Sequence, residues 1–375
     1  MNLNPFKPTA GKMPPILIGR EDVVADFSEG LANGAGAPGR LMLISGQRGY
    51  GKTVLLVELA RVAKSYGWDV VRQTASTGMS ERIVEALQGG SPRFVEASID
   101  PTLDISGVVS ARVGKASFAK ASSLGIREAT NVRLKKMKPG AGILFAIDEA
   151  QAADACEMVA LATAVQELIG DEDMRDVSDA EKHGIALVFA GLPSLVDELV
   201  NDKVLTFLRR AMRENLGGIR IPDVRNAYVA TVQDSGLSIS DEVAMQAAEA
   251  SEGYPYMIQL VGYYMWQSAQ RRRSDTIEEA DVARAAEDAC MVFLDAVCAP
   301  AYKGLTKAQQ AFLEAMLVDW PGPSSVAEIG KRLGKSRSWA NAYRKSLMSA
   351  SMIEPASLGE VAYAIPHFAE YLQSR

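Results

Sequence analysis

Residues 46–53 read Gly46-Gln47-Arg48-Gly49-Tyr50-Gly51-Lys52-Thr53, a complete G-x-x-x-x-G-K-[ST] phosphate loop. The chemistry this spacing serves is the cradling of a nucleoside triphosphate. Gly49 and Gly51 let the backbone turn its N–H groups inward around a β-phosphate, and a following helix N-terminus adds partial positive charge. Lys52 is placed to reach β/γ oxygens, and the Thr53 hydroxyl is a ligand for Mg²⁺. Gln47, Arg48, Tyr50 and, one residue on, Val54 complete the contact set.

About ninety residues later Gly142-Ile143-Leu144-Phe145-Ala146-Ile147-Asp148-Glu149-Ala150-Gln151 ends an apolar run in two acids. This is the Walker B pattern. Asp148 at a strand tip would hold the Mg²⁺ shell, and Glu149 would orient and polarise an attacking water as general base. Two carboxylates can also simply open a helix. A small-molecule kinase would use the same loop, but an Asp-Glu pair at a strand end points to water as the acceptor. The expected catalytic set is Lys52, Asp148 and Glu149, with ATP or ADP and Mg²⁺ as ligands.

These side chains need a rigid frame, and the chain supplies its pattern. Short apolar runs at 41–45, 69–74, 142–148, 185–191 and 218–221 alternate with amphipathic segments, as in a parallel sheet with helices on both faces. The fold class expected is α/β, a P-loop parallel sheet over 1–221, followed by an all-α lid at 222–302 and a winged helix-turn-helix domain at 303–375. A long insertion, about 75–139, separates the second and third strands. It carries a helix near 80–87, a possible hairpin at 103–113 and a basic helix at 126–138 whose Arg133, Lys135, Lys136 and Lys138 form either a solvated face or a nucleic-acid contact. The acidic stretch 171–181 reads as a surface loop. Within 222–299 the pattern is purely helical, with Thr276 as N-cap and Glu279 closing a capping box for the last long helix.

At 375 residues, 48% hydrophobic and 23% charged, the chain can build two or three globular cores. Cys156, Cys290 and Cys298 share no C-x-x-C spacing and the two histidines are His183 and His367, which argues against a zinc site or a disulfide framework. No leader-like or membrane-length apolar segment is present, so a cytoplasmic location without membrane partners is expected.

Charge is uneven. The segment 303–375 carries nine basic against six acidic side chains, while the whole chain is −6. Within it Lys331, Arg332, Lys335, Arg337, Arg344 and Lys345 occur without an intervening acid. In the helix expected at 336–349, Trp339, Tyr343 and Leu347 would face the core. That leaves Arg337, Asn341, Arg344 and Lys345, with Lys335 just before them, for phosphates or base edges of duplex DNA. A solvated basic face on a protein-docking module is the alternative.

Taken together these motifs resemble AAA+ ATPases, in the branch that joins replication-initiator ATPases with archaeal and STAND-like regulatory ATPases. Ile16-Leu17-Ile18-Gly19-Arg20-Glu21 is similar to that branch's N-terminal box, which implies that Ile18, Gly19 and Arg20 line an adenine pocket. Asn4-Pro5-Phe6 and Pro14-Pro15 look like its lead-in segment. The resemblance also implies a lid residue at the nucleotide, and Tyr256 stands where a sensor 2 arginine is usual. Sensor 1 is missing or supplied by Ser194. Arg209, Arg210 and Arg213 lie where an arginine finger for a neighbouring subunit would sit, or else form a salt-bridged helix end. The implied activity is slow or partner-stimulated ATP hydrolysis that switches DNA binding. The alternatives are a STAND-like signalling scaffold with a protein partner, and a transposition-helper-like oligomer that remodels DNA.

Overall fold

The structure, a computed structural model, describes residues 3–9, 14, 17–34, 36–89, 112–193 and 205–375, with side chains of the segment after 112 described from Ser123 onward. It divides into two compact units. One comprises Arg20–Gly46 and Lys52–Leu216; the other comprises Met1–Gly19, Gln47–Gly51 and Gly217–Arg375.

The first unit is built on strands β1 (Leu41–Gly46), β2 (Asp69–Thr74), β3 (Gly142–Asp148), β4 (Gly184–Gly191) and β5 (Met212–Leu216), parallel throughout in the order β2-β3-β4-β1-β5. Helices α1 (Glu21–Ala32), α2 (Lys52–Ser65), α3 (Met79–Gln88), α4 (Arg112–Leu134) and α5 (Ala155–Asp173) accompany it. Every residue of β3 and β4 is buried, which is why these strands read as unbroken apolar runs: a parallel sheet covered on both faces has no solvent side. Arg40, just before β1, is buried and satisfies the end of α1. Its Nε donates to the Gly30 carbonyl at 2.7 Å, its Nη2 to that of Leu31 at 3.1 Å, and the guanidinium lies over the Trp68 ring at 5.1 Å.

Several elements differ from those expected. The fifth strand is Met212–Leu216, not 218–221. It is an edge strand whose residues alternate between half-buried and exposed before Leu216 is buried, so it lacks the apolar run that marks the inner strands. Arg213 therefore lies within β5 and not before it. Arg112 and Val113 open α4, so they belong to no hairpin, and 103–111 lie outside the described residues, as does Ser194. The basic helix begins much earlier than 126 and ends at Leu134. Arg133 is paired with Asp69 at 2.5 Å, so it is not a free basic face. The acidic stretch 171–181 starts in the last turn of α5 and not in a loop, and it is tied down: Asp171 accepts from Arg127, Glu172 from Arg175, and Lys182 pairs with Asp173 and Asp179.

The second unit holds α6 (Ile221–Asp234), β6 (Ser238–Ile239), α7 (Asp241–Ala250), α8 (Pro255–Arg271), β7 (Thr276–Ile277) and α9 (Glu279–Phe293). A π-helical turn, Leu294–Cys298, joins α9 to α10 (Ala299–Lys303). Then come α11 (Lys307–Met316), β8 (Ser324–Ser325), α12 (Val326–Arg332), α13 (Arg337–Ser349), β9 (Ile353–Ser357), β10 (Glu360–Tyr363) and α14 (Phe368–Gln373). The last three strands form an antiparallel sheet ordered β8-β10-β9. One hydrophobic cluster runs through the unit from Phe6 to Leu372.

The segment 222–299 is not purely helical, because β6 and β7 pair in parallel. That pairing holds Thr276 extended, so the cap of α9 moves to Glu278. Its side chain and that of Asp281 form the reciprocal capping box assigned above to Thr276 and Glu279. The amino-terminal segment packs on α8. Asn4 Nδ2 donates to the Tyr263 carbonyl at 3.0 Å, and Phe6 covers Gly262 so closely that a side chain there would strike its ring. Among the described residues no helix is long and apolar enough to cross a membrane.

Candidate functional site

β1 ends at Gly46 and α2 begins at Lys52, so the intervening residues must reverse direction within five positions. Gly49 at φ +79° and Gly51 at φ +84° supply the left-handed backbone this turn requires. The first two residues of α2 then carry the expected polar groups. Lys52 is buried with its Nζ donating to the Gly46 carbonyl at 2.9 Å, and the Thr53 hydroxyl donates to Asp148 Oδ2 at 2.7 Å.

Asp148 ends β3, and β4 lies between β3 and β1 in the sheet. The two strands that carry the site are thus about 10 Å apart, two interstrand spacings, and the Thr53 side chain bridges the interval. Burial pushes the Asp148 carboxyl above the usual carboxylate range; the Thr53 hydroxyl opposes this, while the adjacent Glu149 adds to it and Lys52 lowers it. Glu149 follows in the left-handed region at φ +49°, an uncommon conformation for a non-glycine residue. Its carboxylate accepts from the side-chain amide of Gln151, whose own oxygen accepts from the Leu192 backbone N–H at 3.1 Å.

The loop residues Gln47–Gly51 belong to the second unit, where Tyr254 meets them. The Tyr254 hydroxyl donates to the Arg48 carbonyl. Its ring packs edge-on to Tyr50 at 4.8 Å and to Phe293 at 5.1 Å, and Phe293 in turn packs against His367 at 6.1 Å. Burial drives the Tyr254 hydroxyl well above the ordinary phenol range, so it stays a donor. A Cβ at Gly49 would collide with that hydroxyl.

Of the residues singled out in the sequence, Lys52, Thr53, Asp148 and Glu149 are brought together. Gly46 is buried, Gln47, Tyr50, Thr53 and Val54 are half-buried, and Arg48 is exposed. Ile18 is half-buried, and Gly19, at φ +65°, faces Ile219, whose N–H donates to the Gly253 carbonyl at 2.8 Å. Arg20 precedes α1 as its N-cap. Tyr256 is half-buried against Phe293 at 6.1 Å, and the aromatic residue that meets the loop is Tyr254, two residues earlier. Arg209, Arg210 and Arg213 are exposed. No sequence pattern marks Tyr254, Ile219 or Gln151 for the site. Gln151 lies two residues after Glu149, but nothing in sequence shows a side chain bridging two strand tips.

In α13 Ala340 and Leu347 are fully buried, while Trp339 and Tyr343 are half-buried and stack at 4.2 Å. Lys335, Arg337, Asn341 and Lys345 are exposed. Arg344 differs from the outward position expected: it is half-buried, and its Nε has no hydrogen-bond partner among the described residues. Two other members of the basic run are neutralised, Lys331 by Glu328 at 2.6 Å and Arg332 by Asp319 at 2.6 Å.

Residues 295–372 match a family described as a domain of unknown function, DUF8462; that match begins inside the π-helical turn after α9. A comparison with curated proteins finds no match. Solved structures similar to the chain include the Aeropyrum pernix ORC2 protein in ADPNP-ADP complexes, at 13% identity over 98% of this chain and 96% of that one with a TM-score of 0.61. Others are CDC6P from Pyrobaculum aerophilum, at 13% identity over 98% and 96% with a TM-score of 0.49, and the Thermotoga maritima RuvB Holliday junction branch migration motor, at 15% identity over 95% of each chain with a TM-score of 0.46. The likeness to ORC2 is one of fold: the chain has the P-loop AAA+ α/β fold, followed by a helical C-terminal region.

Proposed function

We propose that the protein binds and hydrolyses ATP at the loop 46–53 and uses the nucleotide state to switch duplex-DNA binding by its C-terminal segment. The meeting of Thr53 with Asp148, with Lys52 and Glu149 beside them, carries this reading. It places a cation, a hydroxyl and two carboxylates of distinct environment at one end of a sheet. The similarity in fold to a protein solved with ADPNP and ADP supports it.

The hydroxyl of Thr53 and the carboxylate of Asp148 form an all-oxygen donor pair suited to Mg²⁺, which when bound neutralises charge on the phosphate oxygens. Lys52 exchanges its Gly46 carbonyl for β/γ oxygens. Glu149 takes a proton from water as the water oxygen bonds to the γ-phosphorus. The bond from that phosphorus to the bridging oxygen breaks, its electron pair leaves on ADP, and phosphate is released. With Tyr256 in place of a lid arginine, turnover is slow until DNA or a second copy offering Arg209, Arg210 or Arg213 assists.

The C-terminal segment is read as a winged helix: α11, α12 and α13 stand with a three-stranded sheet whose β9–β10 hairpin is the wing. Lys335, Arg337, Asn341 and Lys345, exposed on and just before α13, form its DNA contact. The contacts from Arg48 through Tyr254 and Phe293 to His367, the residue before α14, give loop movements a packed route to this segment.

Titration of a fluorescent ATP analogue, with and without the Lys52→Ala substitution, tests the site. Micromolar binding that disappears in the variant is expected, and unchanged affinity in the variant overturns the assignment. DNA binding that weakens steeply with salt is expected of the switch reading; salt-independent or absent binding points to a protein partner instead.

A further inference from the structure

We propose that Gln151 is a positioning residue for the hydrolytic step, holding the Glu149 carboxylate at one end while its other end is fixed to the tip of β4. This rests on the reading of Glu149 as proton acceptor given above.

The Gln151 carboxamide is engaged at both its nitrogen and its oxygen. Gln151 Nε2 donates to Glu149 Oε2, and Gln151 Oε1 accepts from the Leu192 N–H at 3.1 Å. The orientation of the amide is settled by its partners. Turned over, it would set oxygen against carboxylate oxygen and N–H against N–H, losing both bonds and adding two repulsions. The contact is also well anchored. Gln151 lies in a short 3-10 turn, Ala150–Ala152, that Glu149 itself starts, and Ala150 in that turn is buried. β3 and β4 are neighbours, with Ile147 opposite Phe189, so a side chain leaving the end of one reaches the backbone leaving the end of the other.

Two consequences follow for the acid. One carboxylate oxygen is held by a neutral donor, which leaves the other, Oε1, to take the proton. The backbone of Glu149 at φ +49° aims the side chain, and Gln151 removes the rotational freedom that remains. A general base displaced by about 1 Å loses on the order of a hundredfold in rate. The fastening to Leu192 further means that a shift in the chain leaving β4 is passed to the base through one amide.

The test uses Gln151→Met, which keeps the length and removes donor and acceptor, in the full chain and in the Glu149→Gln background. ATP affinity and single-turnover hydrolysis are both measured. Expected is a hydrolysis rate lowered at least about tenfold with ATP affinity within about twofold of wild type, and no further loss when Gln151→Met is added to Glu149→Gln. Hydrolysis at the wild-type rate in Gln151→Met overturns the proposal. So does a fall in rate matched by an equal fall in affinity, or a further additive loss in the Glu149→Gln background, since either marks a general structural role. Wild-type turnover in Glu149→Gln alone would instead remove the base assignment on which the proposal rests.

Discussion

The hydroxyl of Tyr254 donates to the backbone carbonyl of Arg48, a hydrogen bond between the residue before α8 and the turn that precedes α2. A phosphate loop presents its N–H groups to the ligand, so its carbonyls must point elsewhere and find other donors. Tyr254 is buried and supplies one. Gly49 has to lack a side chain for the ring to come this close. The loop's geometry is therefore held from outside by an aromatic residue that also packs on Phe293.

Tyr254→Phe keeps the ring stack and removes the donor, leaving the Arg48 carbonyl to find another partner at a cost of about 1 kcal/mol. The protein is expected to fold and to bind ATP. Hydrogen exchange should show ATP-dependent protection changes over 353–372 in the wild type and a reduced response in the variant. An undiminished response would exclude this contact as the route from loop to C-terminal segment.

Glu149→Gln preserves size and hydrogen bonding but removes the proton acceptor. Phosphate release is expected to fall by about 10²- to 10⁴-fold while ATP stays bound. Measured by rapid quench, turnover at the wild-type rate would require another base. Asp148→Asn should behave differently, lowering Mg²⁺-dependent ATP affinity as well as rate, because this carboxylate meets the Thr53 hydroxyl rather than Gln151.

The inner strands were legible because burial on both faces writes itself into the chain as apolar runs: β3 coincides with the expected segment, and β1 and β4 differ by one residue, while the partly buried edge strand β2 also coincides with its expected segment. β5 was not legible. Met212-Arg213-Glu214-Asn215-Leu216 is an edge strand with two charged members, and Gly218 to Ile221 offered a more apolar but incorrect choice. The 46–53 turn and the acid pair stood out through residue type and spacing, and the structure brings Lys52, Thr53 and Asp148 together at one end of the sheet. Tyr254, Gln151 and the neutralised Lys331 and Arg332 did not stand out, because each depends on a partner distant in sequence or on which neighbour a side chain turns to. The cap of α9 moved from Thr276 to Glu278 for a similar reason, the two-residue pairing of β6 with β7.

Asp281 shows how acid should act on the second unit. Burial raises its pKa, but the Arg272 guanidinium, the Glu278 N–H and the Ser268 hydroxyl together outweigh this and leave the carboxyl below its ordinary value. A carboxyl depressed in the folded state contributes stability above its unfolded pKa of about 3.9, and that contribution is lost as pH falls through the lower folded value. Asp281→Asn is expected to cost about 1–2 kcal/mol at neutral pH, limited by the partial exposure of Arg272, with the difference from wild type closing below about pH 4. Urea unfolding of both proteins across pH 3 to 7 would measure it, and a constant difference would show that the charge plays no part.

Charges in the basic run of the C-terminal segment should not contribute equally to DNA binding. Lys331 and Arg332 already face Glu328 and Asp319, so reversing Lys331 to Glu is expected to leave the salt dependence of binding almost unchanged. Lys335, Arg337 and Lys345 are exposed, and each phosphate contact removed should lower the slope of log affinity against log salt by about one. Asn341 carries no charge, so Asn341→Ala should alter preference among sequences more than the slope if it reads a base edge. Fluorescence anisotropy with one duplex over a salt series separates these effects. Equal losses from Lys331→Glu and Arg337→Glu would mean that overall charge, and not the exposed face of α13, governs the contact.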